Sequence, residues 1–157
     1  MNFQIHPLPI AEFSHLFDLP DEQLLKFNAR RITATSKPGM PCRVSLCDAE
    51  IGETVILANY QHQKEATPFQ SSHAIYIREN AREAQVPKGQ IPDLFRSPVI
   101  SIRAFDEEHM IIDADICEGT ELEKELERML GNANVSYIHL HWAKHGCFAA
   151  RVTRADL

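Results

Sequence analysis

A chain of 157 residues with 44% hydrophobic and 24% charged residues has the length and composition of one globular domain, which at this size buries about two thirds of its unfolded surface without a disulfide or metal staple. Its formal net charge of −6 lacks the basic footprint that nucleic acid or an anionic membrane surface calls for, and Arg30-Arg31 is too short a cluster to reverse that. No apolar run reaches the length of a bilayer span, and Met1 to Phe13 lack the basic-then-apolar order of a leader, so the expectation is a cytoplasmic, bacterial-type single domain over 1–157 with no nucleic-acid and no membrane partner.

Phe13, Leu16 and Phe17 recur at helical spacing after Pro9, and Leu24, Leu25 and Phe27 follow Pro20-Asp21, which predicts two short helices near the N-terminus. Lys37-Pro38-Gly39-Met40-Pro41 reads as a turn. Residues 42–47 and 54–60 are β-favouring around a polar stretch with Gly52, which predicts a hairpin. With Cys47 opposite Thr54, its core face carries Cys42, Val44, Leu46, Val55, Leu57 and Asn59. Arg43, Ser45 and Cys47 then share the other face with Thr54, Ile56, Ala58 and Tyr60.

Further strands are expected at 73–78, 99–105 and 110–115. Thr120-x-x-Glu123 is a capping-box signature for a helix over 120–130, with Leu122, Leu126, Met129 and Leu130 as its buried stripe, Glu125 and its charged neighbours in water, and Gly131 at its end. A last hairpin joins 135–142 to 147–153, apolar on both faces and so central in a sheet. The fold class is α+β: a mainly antiparallel sheet of hairpins, two short N-terminal helices and one amphipathic helix packed on it.

Residues 38–49 (Pro38-Gly39-Met40-Pro41-Cys42-Arg43 onward), Gly52-Glu53, Tyr60-Gln61-His62-Gln63, Thr67-Pro68-Phe69 leading to Ser72-His73-Ala74-Ile75, and Gly146-Cys147-Phe148-Ala149-Ala150-Arg151 together resemble a bacterial family catalogued as domain of unknown function 1203. The resemblance spans nearly the whole chain and implies no substrate, cofactor or catalytic residue. It implies a tyrosine where Phe69 stands.

Cys42, Cys47, Cys117 and Cys147 form no C-x-x-C pair and are expected as free thiols. Cys147, after Gly146 and near several histidines, has the makings of a nucleophile, against the commoner role of a small buried hydrophobe. His139-x-His141 projects two imidazoles to one strand face, where His62 or His73 would supply a third metal ligand. The apolar residues expected opposite, Phe148 and Ala150, suit neutral, hydrogen-bonded histidines equally well. The acids at 48–53, 106–108 and 113–115 read as solvated turns or faces. Arg43 and Arg103 sit among apolar strand neighbours and need carboxylate, carbonyl or ligand acceptors.

Three readings follow. The first is a small-ligand pocket, suited to an anion and open to catalysis, built from Arg43, Tyr60, His62, His73, Arg103 and His141. The second is a metal-dependent protein using His139 and His141. The third is a non-catalytic homodimeric interaction module. The sequence names no cofactor and does not decide whether the chain is an enzyme; glycine-rich phosphate loops, a G-x-S-x-G elbow and H-E-x-x-H are all missing from it.

Overall fold

The computed structural model describes residues 3–155. In chain order its elements are β1 (Phe3–His6), α1 (Asp21–Leu24), β2 (Ala29–Thr33), β3 (Thr54–Gln63), β4 (Ser71–Arg78), β5 (Val99–Phe105), β6 (Ile111–Glu118), α2 (Leu122–Leu130), β7 (Tyr137–Trp142) and β8 (Phe148–Arg154). The architecture is α+β with antiparallel pairing. The chain divides into two compact units, one made of Met1–His6, Gln61–Ser72 and Gln85–Leu157, the other of Pro7–Tyr60 and His73–Ala84.

The first unit is built on a five-stranded sheet in the order β1-β8-β7-β5-β6. Strand alternation gives its two faces different chemistry. On one face Ile5 pairs with Val152, Val152 with Ile138, Ile138 with Ala104, and Leu140 with both Ala150 and Ile102; all are buried. Helix α2 meets β1 and β6 through the expected stripe of Leu122, Leu126, Met129 and Leu130, and burying such side chains contributes roughly 1.5–3 kcal/mol each. Asp113 and Asp115 lie on this helix side of β6 and meet Arg128 at 3.0 and 3.5 Å. Trp142, at the end of β7, pairs with Ile100 and packs on Phe95 with ring centroids 5.5 Å apart.

The entry to α2 differs from the capping-box expectation. A 3-10 turn, Gly119–Glu121, leads in, and Glu121 occupies the cap position with no side-chain cap bond. Backbone packing sets this entry: a Cβ on Gly119 would stand 1.9 Å from the Phe95 carbonyl oxygen, so only glycine fits and the turn is fixed before the helix begins.

β7 lies between β5 and β8, which accounts for its two-sided apolarity. His141 faces Phe148 as the loop length predicts, but His139 faces Arg151 instead of Ala150. A bulge between Leu140 and His141 inserts Ala149 as an extra residue on β8, shifting the register by one beyond it.

The second unit carries the three-stranded sheet β2-β3-β4. The expected hairpin between 42–47 and 54–60 does not form. β3 pairs with β2 instead, Ile32 opposite Val55 and Ala29 opposite Ala58. Segment 41–48 folds back on itself: Cys42 N–H donates to the Cys47 carbonyl, Leu46 N–H to the Cys42 carbonyl, each at 3.0 Å, with Leu46 at φ 52°. A chain that reverses within six residues cannot alternate, so Cys42, Arg43, Val44 and Leu46 are all buried and Arg43 does not occupy a face opposite its apolar neighbours. The N-terminal helical region consists of 3-10 turns at Ile10–Glu12 and Ser14–Asp18, then α1 and a turn at Leu25–Phe27. One core cluster of this unit joins Ala34, Ala49 and Val55, flanked by Met40 and Tyr76.

Candidate functional site: the imidazole face of the five-stranded sheet

The face of the sheet away from α2 carries the opposite parity of the same strands. Ser101, Arg103 and Phe105 of β5 stand beside His141, His139 and Tyr137 of β7, pair by pair. Residues 61–72, the ends of β3 and β4 with the segment joining them, belong to the same unit and bring His62 to this face. Its ring centroid is 4.8 Å from that of His141 and 6.2 Å from that of His139, and it stacks on Phe148 at 5.5 Å. A pocket of about 280 Å³ opens here, lined by Arg103, the three histidines, Ser71 and, on its apolar side, Pro68, Phe69, Phe105 and Ile111.

Hydrogen bonds assign the ring protons. His141 Nδ1 lies 2.9 Å from the Gly146 carbonyl oxygen, which only accepts, so Nδ1 carries the proton and Nε2 is a base nitrogen, 3.5 Å from Arg103 Nη1. The Ser71 hydroxyl gives its one proton to the Phe69 carbonyl at 2.9 Å. His62 Nε2–H therefore donates to Ser71 Oγ, at 2.9 Å. His139 is 4% exposed, and its Nδ1 is buried with no partner among the described residues. Burial, reinforced by His141 and His62, pushes the His139 imidazole down to about 3, so the ring is neutral at any ordinary pH.

Arg103 is half-buried. Its Nε is 3.3 Å from Ser101 Oγ, and burial lowers its pKa without removing the charge of a guanidinium. Among the described residues it pairs with no carboxylate. The cause is strand parity: Arg103 stands opposite Ala114, while Asp113 and Asp115 point to the helix side, to Arg128.

The segment over the pocket is pinned at its far side. Gln63 Nε2 donates to Tyr137 Oη at 2.9 Å, the Tyr137 hydroxyl donates to His109 Nδ1 at 2.8 Å, and Thr67 Oγ1 donates to the His109 carbonyl at 2.8 Å. Glu65 lies 3.7 Å from His109 Nε2. His109 adopts φ 63° in the tight turn joining β5 to β6, a position that usually favours glycine or asparagine.

The model of the family described as Protein of unknown function (DUF1203) matches residues 39–154. The chain belongs to this family. No curated protein and no solved structure matches it.

In this DUF1203 chain three of the expected ligand residues, His62, Arg103 and His141, line one pocket. Arg43, Tyr60 and His73 belong to the other unit. Arg43, 1% exposed, donates through Nη1 to the Pro41 carbonyl, and its backbone is held by Tyr76 and Leu8. Tyr60 packs on Phe13, and burial pushes its hydroxyl up to about 12. His73 Nδ1 is 3.3 Å from the Ala74 carbonyl. Among the described residues no group of three or more His, Cys, Asp or Glu side chains is arranged to hold a metal ion; His62 and His141 each commit one ring nitrogen to a protein partner. The four cysteines form no disulfide, with Cys147 half-buried and Cys47 exposed. No helix among the described residues is long and apolar enough to cross a membrane.

Sequence reasoning did not reach Ser71, Phe105, Tyr137 and His109. Two of them were within range: Phe105 follows Arg103 by two, and Tyr137 precedes His139 by two, so each shares its strand face. Ser71 and His109 come from connecting segments, whose position no periodicity reports.

Proposed function

We propose that the pocket on the imidazole face binds a small anion. The observation that carries this reading is the unpaired charge of Arg103: a half-buried guanidinium with five donors that meets two neutral acceptors, Ser101 Oγ at 3.3 Å and His141 Nε2 at 3.5 Å, and no carboxylate among the described residues. A buried charge without a counter-charge is costly, and an anionic ligand offsets that cost. The neutral ring of His139 and the ring nitrogens of His62 and His141 add hydrogen-bonding groups, and the concave site of about 280 Å³ suits a small molecule.

A thermal-shift screen of small carboxylates, phosphate and sulfate tests the reading. A binder present at 100 times its Kd stabilises the native state by about 2.7 kcal/mol, which moves the melting temperature of a chain this size by several degrees. Arg103→Met, which keeps the aliphatic stem, is expected to melt normally and to lose the response. A wild-type protein unmoved by every anion would leave Arg103 a structural cation and end the proposal.

A further inference from the structure

Resting on that anion-binding reading, we infer that the ligand is a small monocarboxylate with a compact apolar body, and not phosphate. Among the described residues Arg103 is the one lysine or arginine on the pocket wall. Arg103 is a fixed cation and His139 is neutral, so the guanidinium matches a single negative charge, whereas a phosphate dianion asks for a second compensating charge. The planar fork of arginine also matches the two oxygens of a carboxylate.

His139 adds a donor. Its Nδ1 is sealed from solvent without an acceptor, and a buried orphan N–H is rarer and costlier than an orphan acceptor, which assigns the proton to Nε2. His139 is the cross-strand partner of Arg103, so a neutral N–H stands beside the guanidinium for the second carboxylate oxygen.

The remaining wall selects the body of the ligand. Phe105 is buried and meets Phe69 edge-on at 6.3 Å; Ile111 and Pro68 extend the apolar side. Since a water in the liquid claims about 30 Å³, the pocket takes on the order of ten non-hydrogen atoms. A carboxylate on one small ring or a short branched chain meets all three limits of charge, wall and size.

Titration calorimetry at neutral pH on the full chain, with benzoate, acetate and inorganic phosphate as probes, decides the matter. Benzoate is expected to bind one to one and about tenfold or more tighter than either acetate or phosphate, a gap of about 1.4 kcal/mol. Arg103→Met should abolish that binding, with Arg103→Gln as the second variant if the first folds poorly. Phe69→Ser, on the exposed rim, should weaken benzoate and leave acetate unchanged. Phosphate binding as tightly as benzoate overturns the monocarboxylate and leaves the anion site standing. Benzoate retained by folded Arg103→Met reduces the contact to apolar adsorption and overturns it too. Silence from all three probes overturns both readings together.

Discussion

At the scale of single residues, His139 couples the fold to pH. Sealed among Phe105, Tyr137 and Phe148 at centroid distances of 4.9, 5.3 and 5.2 Å, it titrates near 3 in the native state, against about 6.5 in an unfolded chain. Below pH 6.5 the unfolded state therefore takes up a proton that the native state refuses. The contribution is fully present above pH 6.5 and is lost as the pH falls toward 3. Between pH 7 and pH 5 the loss from this ring is about 2 kcal/mol, in a window above the titration of the carboxylates. His6, also depressed by burial and by Arg151, acts in the same direction. Urea unfolding at the two pH values should show the drop, and His139→Phe should flatten most of it; an unchanged slope in that variant would assign the pH dependence elsewhere.

At the scale of elements, α2 and the segment over the pocket make contrasting cases. Leu126 is fully buried in the α2 stripe, so Leu126→Ala should cost about 2–5 kcal/mol. Glu125→Ala removes one exposed-side ion pair with Arg128 and should cost under about 1 kcal/mol; equal losses in chemical denaturation would reverse the assigned face. Tyr137→Phe strips a partner from both Gln63 Nε2 and His109 Nδ1, for which about 1–3 kcal/mol is expected. Hydrogen exchange should then rise at residues 64–70 and not in α2.

These elements also show what sequence patterns carry. Helix α2, β5 and the β7–β8 pair have a repeating side-chain period with a packing consequence, so their positions were legible in advance, but the pairing of β5 with β7 that sets Arg103 beside His139 was not. Segment 42–47 looks like a strand by composition, yet it closes as a turn because Leu46 takes a left-handed conformation that residue type alone does not announce. β2, Ala29–Thr33, has two arginines in five residues and becomes a strand through its pairing with β3, a tertiary cause. The one-residue bulge at Ala149 moved His139 from opposite Ala150 to opposite Arg151, which loop length could not foretell. The pocket itself depends on where residues 61–72 pack, and nothing local encodes that.

At the scale of the whole molecule, the division into two units meets the path of the chain, which passes from one unit to the other after His6, Tyr60, Ser72 and Ala84. Each unit is thus assembled from segments tethered by the other's chain, and melting either alone would leave the survivor to hold long open loops closed. The two are therefore expected to unfold in one transition. Trp142 supplies the means to see it. The chain contains a single tryptophan, and it sits in the first unit, against Phe95 and opposite Ile100. Indole emission therefore watches the five-stranded sheet alone, while far-ultraviolet circular dichroism averages over every helix and strand. Superimposable denaturation curves from the two optical signals would establish one cooperative body; an emission change displaced from the dichroism would mean that the two halves part company, and the fluorescence midpoint would then identify which half goes first.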